Sequence, residues 1–337
     1  MRQFIASLIQ FLMVCSIPAI IFVSSYLYFD PFKVLWHYDS YSYADVVSNR
    51  DFVSTTVFIN NHQKNNYNSF IFGSSRTLAF RPDTWKQYLP KNARPFAFDA
   101  SNESVYGIYT KLKYLDSKNV AIKNALILLC RDVSFAFTED AKGHLFIKPP
   151  AVTGKCNLDF QWRFFKAYLA PKFLFSFYCY KIIGVYKPFM SGYIENRKIA
   201  YGAVTNEIDI VDEENEIVKD PVAYYATKTF PVRANNKIDT RHINQRGLFM
   251  IKEIKRLLEK NNTNYRVVLS PLYDQVKFNP SDIALLKKEF GNKLYDFTGK
   301  NSFTEFKTNY YEKNHFRPIV GTKIMGIIYR DSTMARN

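Results

Sequence analysis

The sequence predicts an α/β protein: a doubly wound parallel sheet that follows a membrane helix and is interrupted by a helical, aromatic insert. Three observations carry this. Short apolar runs alternate with amphipathic stretches over most of the 337 residues, the pattern of strands buried on both faces and joined by helical crossovers. No charged residue occurs between Gln3 and Phe29, which is enough chain to cross a bilayer once. The run Phe70-Ile71-Phe72 stops at Gly73-Ser74-Ser75-Arg76, so a buried strand delivers hydroxyls to the carboxyl edge of the sheet, where open α/β folds place their sites.

In chain order, Arg2 precedes the uncharged run and Tyr26-Leu27-Tyr28-Phe29 ends it. The run outlasts the apolar core of a cleaved leader and finishes in an interfacial aromatic cluster, so residues 1–29 read as a cytoplasmic tip and signal anchor. The basic end is expected to stay in the cytoplasm and the remainder to lie outside it, which makes the bilayer a partner. Residues 30–64 form a linker and lead-in. Core strands are expected at Phe70–Phe72, Pro95–Phe98, Ala125–Cys130, Arg266–Leu269 and Lys293–Phe297, with helices around Pro82, at Val105–Ser117, Leu248–Leu258, Ser281–Phe290 and Ile319–Tyr329. This places the core in 65–134 and 242–337. The intervening 135–241 is too long for a loop and reads as an inserted subdomain or lid. Its aromatic, basic first half (Phe160–Tyr168, Phe173–Tyr178) is a helical cap with its own core or a helix lying on the membrane, and its acidic stretch Glu207–Asp220 is a solvated loop or hairpin.

Forty-six Lys and Arg against 30 Asp and Glu give a formal charge of +16, which attracts anionic surfaces. There is no basic helix, zinc spacing or aromatic RNA-binding signature, so nucleic acid is not an expected partner. Cys130, Cys156 and Cys179 match no metal motif; Cys130 reads as a core thiol, and Cys156 with Cys179 as the pair that oxidation would join.

Near the C-terminus, Glu312 and His315 stand three apart in Tyr310-Tyr311-Glu312-Lys313-Asn314-His315. A carboxylate at that spacing in a turn can hold one imidazole nitrogen and leave the other to take a proton from a serine. A strand-end serine with a late acid-x-x-His resembles the SGNH (GDSL-type) hydrolase superfamily, whose fold is a flavodoxin-like sandwich. Phe70-Ile71-Phe72-Gly73-Ser74-Ser75 matches its first block, with Ser75 at the nucleophile position and Ser74 where Asp usually stands. Glu312 replaces the usual Asp, and the segments that should supply a Gly and an Asn read Asp99-Ala100-Ser101-Asn102 and Cys130-Arg131-Asp132. If the turn starts a residue earlier, Ser74 takes the nucleophile role instead. Asn102 and the Ser75 backbone N–H are candidate oxyanion donors, with a turn or cap role open for Asn102; Arg76 is a candidate for an anionic or carbonyl group, or the partner of a nearby carboxylate.

With its single anchor, the chain looks like the extracytoplasmic branch of that superfamily that modifies bacterial surface polymers, such as D-alanyl-transfer and alginate-acetylation proteins. The resemblance implies a serine acyltransferase or esterase without a cofactor, at the cell membrane with its domain outside the cytoplasm. It implies a membrane-bound O-acyltransferase as partner and an anionic or neutral surface glycan as acceptor of O-acyl, chiefly O-acetyl, groups. The alternative is a catalytically silent, membrane-tethered binding or assembly subunit.

Overall fold

The computed structural model describes residues 1–136, 139, 141, 143–233 and 237–330. Helix α1 (Arg2–Phe29) is long and apolar enough to cross a membrane. Asp30 ends it in a left-handed turn, and the Asp30 carboxylate accepts the backbone N–H groups of Val34, Leu35 and Trp36. Helix α2 (Arg50–Asn65) is capped by Asn49, whose side chain accepts from the Phe52 N–H.

Strand β1 (Ser69–Phe72) is followed by a 3-10 turn at Ser75–Ala79 and by α3 (Pro82–Lys86), with Pro82 in the first turn. Strand β2 (Pro95–Ala97), α4 (Val105–Ser117) and β3 (Asn124–Leu129) complete the first half of the core. A short α5 (Pro150–Thr153) leads to α6 (Asn157–Tyr168) and α7 (Pro171–Ile183). A hairpin, β4 (Ile199–Tyr201) with β5 (Ile208–Ile210), precedes α8 (Val211–Lys219) and α9 (Pro221–Ala226). The second half of the core is α10 (Gln245–Lys260), β6 (Asn264–Leu269), α11 (Pro280–Phe290) and β7 (Leu294–Asp296). A small antiparallel pair, β8 (Tyr310–Glu312) and β9 (His315–Phe316), leads into α12 (Pro318–Ile328).

Five strands form one sheet in the order β2-β1-β3-β6-β7, all parallel. Counted along the chain as sheet strands this is 2-1-3-4-5, and the direction of winding reverses between β1 and β3. Every residue of β1 and β3 is buried, because helices cover both faces. Ile71, Leu126, Leu128 and Val268 share a core with Trp85 of α3 and Val320, Ile324 and Met325 of α12. On the other face, Phe70 and Phe72 meet Phe58 of α2 and Phe98. Gly321 lets α12 approach the 3-10 turn: a Cβ there would stand 1.9 Å from the Ala79 carbonyl oxygen.

The chain divides into two compact units. One comprises 1–48 with 156–196, the other 49–155 with 197–337. The expected insert 135–241 is therefore split: α6 and α7 pack with the N-terminal segment, whereas α8 and α9 join the core unit. Within the first unit, Phe32 packs edge-on against Phe164 and at a tilt against Phe173, so the aromatics of α6 and α7 fill a core together with the N-terminal segment. The acidic stretch Glu207–Asp220 supplies a hairpin strand as expected, but its remainder is helical. Asp212, Glu213 and Glu214 occupy the first turn of α8, where the positive end of the helix dipole favours carboxylates. Ile217 of α8 packs with Tyr224, Leu78 and Tyr311. Cys156 and Cys179 are free thiols, and Cys130 is buried.

Candidate active site

Gly73 starts the site. Its φ of +151° is hard for a residue with a side chain, and a Cβ would lie 2.8 Å from the Leu128 carbonyl oxygen and 2.9 Å from the Leu128 Cβ. The chain turns at the end of β1 next to β3 and exposes the following residues at the carboxyl edge. Thr77 fixes the turn, since its N–H and its hydroxyl both donate to the Ser74 carbonyl oxygen. The two serines then part company. Ser74 is buried with its Oγ 3.5 Å from the Cys130 Sγ, whereas the Ser75 Oγ lies 2.8 Å from His315 Nε2.

The other side of the site is the β8–β9 hairpin. Glu312 and His315 are cross-strand partners, with Lys313-Asn314 as the two-residue turn. Spacing by three thus becomes direct opposition, and the Glu312 Oε1 accepts from His315 Nδ1. The second carboxylate oxygen accepts the Asn314 N–H at 2.8 Å. With the ring proton held on Nδ1, Nε2 is free to accept the Ser75 hydroxyl proton. Burial pushes the Glu312 carboxyl up, but the bond and charge of His315, the Asn314 N–H and Arg197 outweigh it. The group stays below the ordinary carboxylate value and is ionised at neutral pH.

Two tyrosines of α9 brace the hairpin from behind. The Tyr225 hydroxyl donates to the Tyr310 carbonyl at 2.8 Å and the Tyr224 hydroxyl to the Tyr311 carbonyl at 3.1 Å. The Tyr224 hydroxyl also donates to Glu213 at 2.6 Å, but nothing in the local sequence points to the hairpin contacts, whose backbone acceptors lie more than 80 residues away.

Arg76 joins the two halves. Its guanidinium forms a two-bond fork with Asp132 at 2.8 and 2.6 Å, and its Nε donates to the Asn314 carbonyl at 2.7 Å. Of the two roles open to it, the structure places Arg76 in the second, as the partner of a carboxylate and a clamp on the hairpin turn. A lysine cannot reproduce the fork. Arg76→Gln and Arg76→Lys are both expected to lower stability by about 2 kcal/mol, the size of a lost charge-assisted bond, in a chemical denaturation series. Equal stability of Arg76→Lys and the parent would remove the clamp.

Asn102 is exposed, and its backbone is left-handed at φ 51°. Among the described residues no hydrogen bond joins it to Ser75 or His315. It lines a small cavity with Ser101, Tyr106 and Lys148. Its position matches the turn role, although the preceding Ala100 N–H does bond the Gly73 carbonyl at 3.2 Å and brings this segment beside the serine turn. The Ser75 N–H opens the 3-10 turn, where the first N–H groups have no partner within the turn. Arg131, also at the end of β3, is occupied by Asp239 and Asp274. A cavity of about 230 Å³ is lined by Arg76, Asp132, Leu272, Tyr273, Lys313 and Asn314, which include the chain neighbours of Ser75 and His315 but neither residue itself. The other histidines of this unit stand elsewhere: His62 stacks on Phe58, the His144 carbonyl accepts from the Asn49 side chain at 2.7 Å, and His242 lies 3.8 Å from Asp282.

A scan against protein-family models found no match, and a search of curated proteins found none either.

Proposed function

We propose that the chain is a membrane-anchored, extracytoplasmic serine acyltransferase or esterase of SGNH type, acting on O-acyl groups of a surface polysaccharide or related polymer. One observation carries the reading: the Ser75 Oγ stands 2.8 Å from His315 Nε2 while Glu312 engages the opposite ring nitrogen. In the reaction, the Ser75 Oγ attacks the carbonyl carbon of an acyl donor and gives its proton to Nε2. Nε2 passes that proton to the leaving oxygen as the donor's ester bond breaks. An acceptor hydroxyl, or water, then loses its proton to Nε2 and attacks the acyl-serine, and the proton returns to the Ser75 Oγ. The parallel sheet with its reversal at β1/β3 supports the flavodoxin-like placement of such a site. The anchor reading draws support from α1 itself: the Tyr168 hydroxyl donates to the Ser25 Oγ at 2.9 Å and Phe29 packs on Phe177, so its last turns belong to a folded unit. A membrane-bound O-acyltransferase as donor and a glycan as acceptor complete the proposal.

The second reading, a tethered subunit without chemistry, is favoured by the lack of any bond between Asn102 and the triad and of an Asn after β3. The full chain in detergent, offered a fluorophosphonate probe and p-nitrophenyl acetate, separates the two. Labelling and turnover are expected to fall at least ~1,000-fold in Ser75→Ala and in His315→Ala and to change little in Ser74→Ala. Parent protein that is folded yet neither labels nor turns over, with an acyl-loaded membrane partner supplied, would favour the silent subunit.

A further inference from the structure

The first unit contains a surface that the chemistry does not use. Along α7, contacts with α1 and the turn after it step backwards: Phe173 packs on Phe32, Phe177 on Phe29, and Tyr178 on both Phe29 and the Ser25 hydroxyl. Helix α7 therefore runs back along the end of α1, toward the stretch of α1 that is long and apolar enough to cross a membrane. Ile182 lies four residues past Tyr178, about 6 Å further in that direction. There the chain presents Ile182, Ile183 and Val185, which are 85%, 51% and 54% exposed. Gly184 ends the helix between them in a left-handed cap. Phe175 and Phe189, both exposed, touch each other at 5.3 Å and extend the apolar face.

Charge and aromatic placement agree with a lipid occupant. Residues 156–196 carry five basic side chains and two acidic ones. Lys172 and Lys187 are exposed, Lys181 pairs with Asp45 at 2.7 Å, and Trp162 of α6 is 51% exposed with the Lys166 ammonium near its ring. Apolar tips flanked in sequence by lysines suit the boundary between headgroups and acyl chains, as does an exposed tryptophan elsewhere in the same unit.

We propose that the end of α7 and the turn after it, 182–189, are inserted into the leaflet from which α1 emerges. The chain then has two membrane contacts, and the second fixes the tilt and rotation of the first unit on an anionic lipid surface. This inference stands apart from the acyl-transfer reading and survives its failure.

The full chain, with Cys15, Cys156 and Cys179 replaced by Ser, is spin-labelled at Ile182→Cys or Val185→Cys and reconstituted alone in nanodiscs of phosphatidylglycerol and phosphatidylethanolamine. A label at Ile17→Cys gives the reference for lipid. Both exposed positions tolerate a label, since neither side chain fills the unit's core. Collision with oxygen is expected to exceed collision with a polar nickel chelate at both, as at Ile17. Nickel-dominated collision at both sites would place the turn in water and overturn the proposal, leaving the face to a protein partner.

Discussion

Glu312→Gln is expected to lower kcat by about 10⁴-fold with the fold intact, the scale of effect when an orienting carboxylate of a serine triad becomes an amide. The reason is specific to this hairpin. Both Glu312 oxygens accept: Oε1 from His315 Nδ1, Oε2 from the Asn314 N–H. A glutamine has one acceptor and one donor end. If its NH₂ faces Asn314, two donors collide; if it faces His315, Nδ1 must accept and the ring proton moves to Nε2, which can no longer take the Ser75 proton. Glu312→Asp keeps both acceptors but shortens the arm, so its loss should be smaller. The depressed Glu312 carboxyl keeps this arrangement in place down to the acid side of the ordinary carboxylate range. Turnover of p-nitrophenyl acetate measures the loss, and ¹⁵N shifts of the His315 ring report the tautomer without reference to activity. A kcat within about tenfold of the parent, or an unchanged tautomer, would show that Glu312 does not orient the ring.

The parts of this site that were legible in the sequence share a physical property: their partners are local or their burial is continuous. Asn124–Leu129 is an unbroken apolar run because both faces of β3 are covered, and a two-residue turn suffices to bring Glu312 opposite His315. The choice between Ser74 and Ser75 needed the backbone, since one residue of register decides which hydroxyl faces Cys130 and which faces His315. The sequence of helix α8 reads as a solvated loop or hairpin because its run of carboxylates hides a single buried anchor, Ile217. Least legible were charged residues that are not on the surface. Nothing in the local sequence of Arg50, Asp51, Glu103, Lys111 and Lys148 marks them as interior, yet all are buried. Their partners lie as far as 156 residues away, as Asn206 does from Arg50, beyond any periodicity.

That buried cluster carries the largest expected effect on stability. Lys111, with a fully buried side chain, donates to the Asp99 carbonyl at 2.9 Å and to Glu103 at 2.8 Å, and stands 3.0 Å from Asp51. Lys148 donates to Asp51 and Glu103 at 2.7 Å each. Arg50 forks onto Asp99, and the Ser54 hydroxyl donates to the Asp99 carbonyl. Gly107 leaves the room, as a Cβ there would fall 1.7 Å from a Glu103 oxygen. The charges balance, and together they hold the segment after β2 that bonds Gly73. Removing one partner strands a buried charge, so Lys111→Met or Lys148→Met should cost roughly 3–5 kcal/mol. Lys148→Met with Asp51→Leu should recover part of that loss, because no charge is left alone. Burial opposes ionisation of Asp51, but Lys111 and Lys148 outweigh it and hold its carboxyl below the ordinary value. Lys148 is likewise opposed by burial and raised by Asp51 and Glu103. Since the folded carboxyl binds its proton less readily than the unfolded one, its share of stability is present above the unfolded value of about 4 and is lost as pH falls through the folded one. The share from Lys148 is complete below its unfolded value of about 10.4 and is lost as pH rises through the folded one. Denaturation midpoints should therefore be flat between those limits and fall on either side, with the acid fall reduced in the double variant. A single-lysine variant as stable as the parent would mean that these charges are solvated and hold nothing in place.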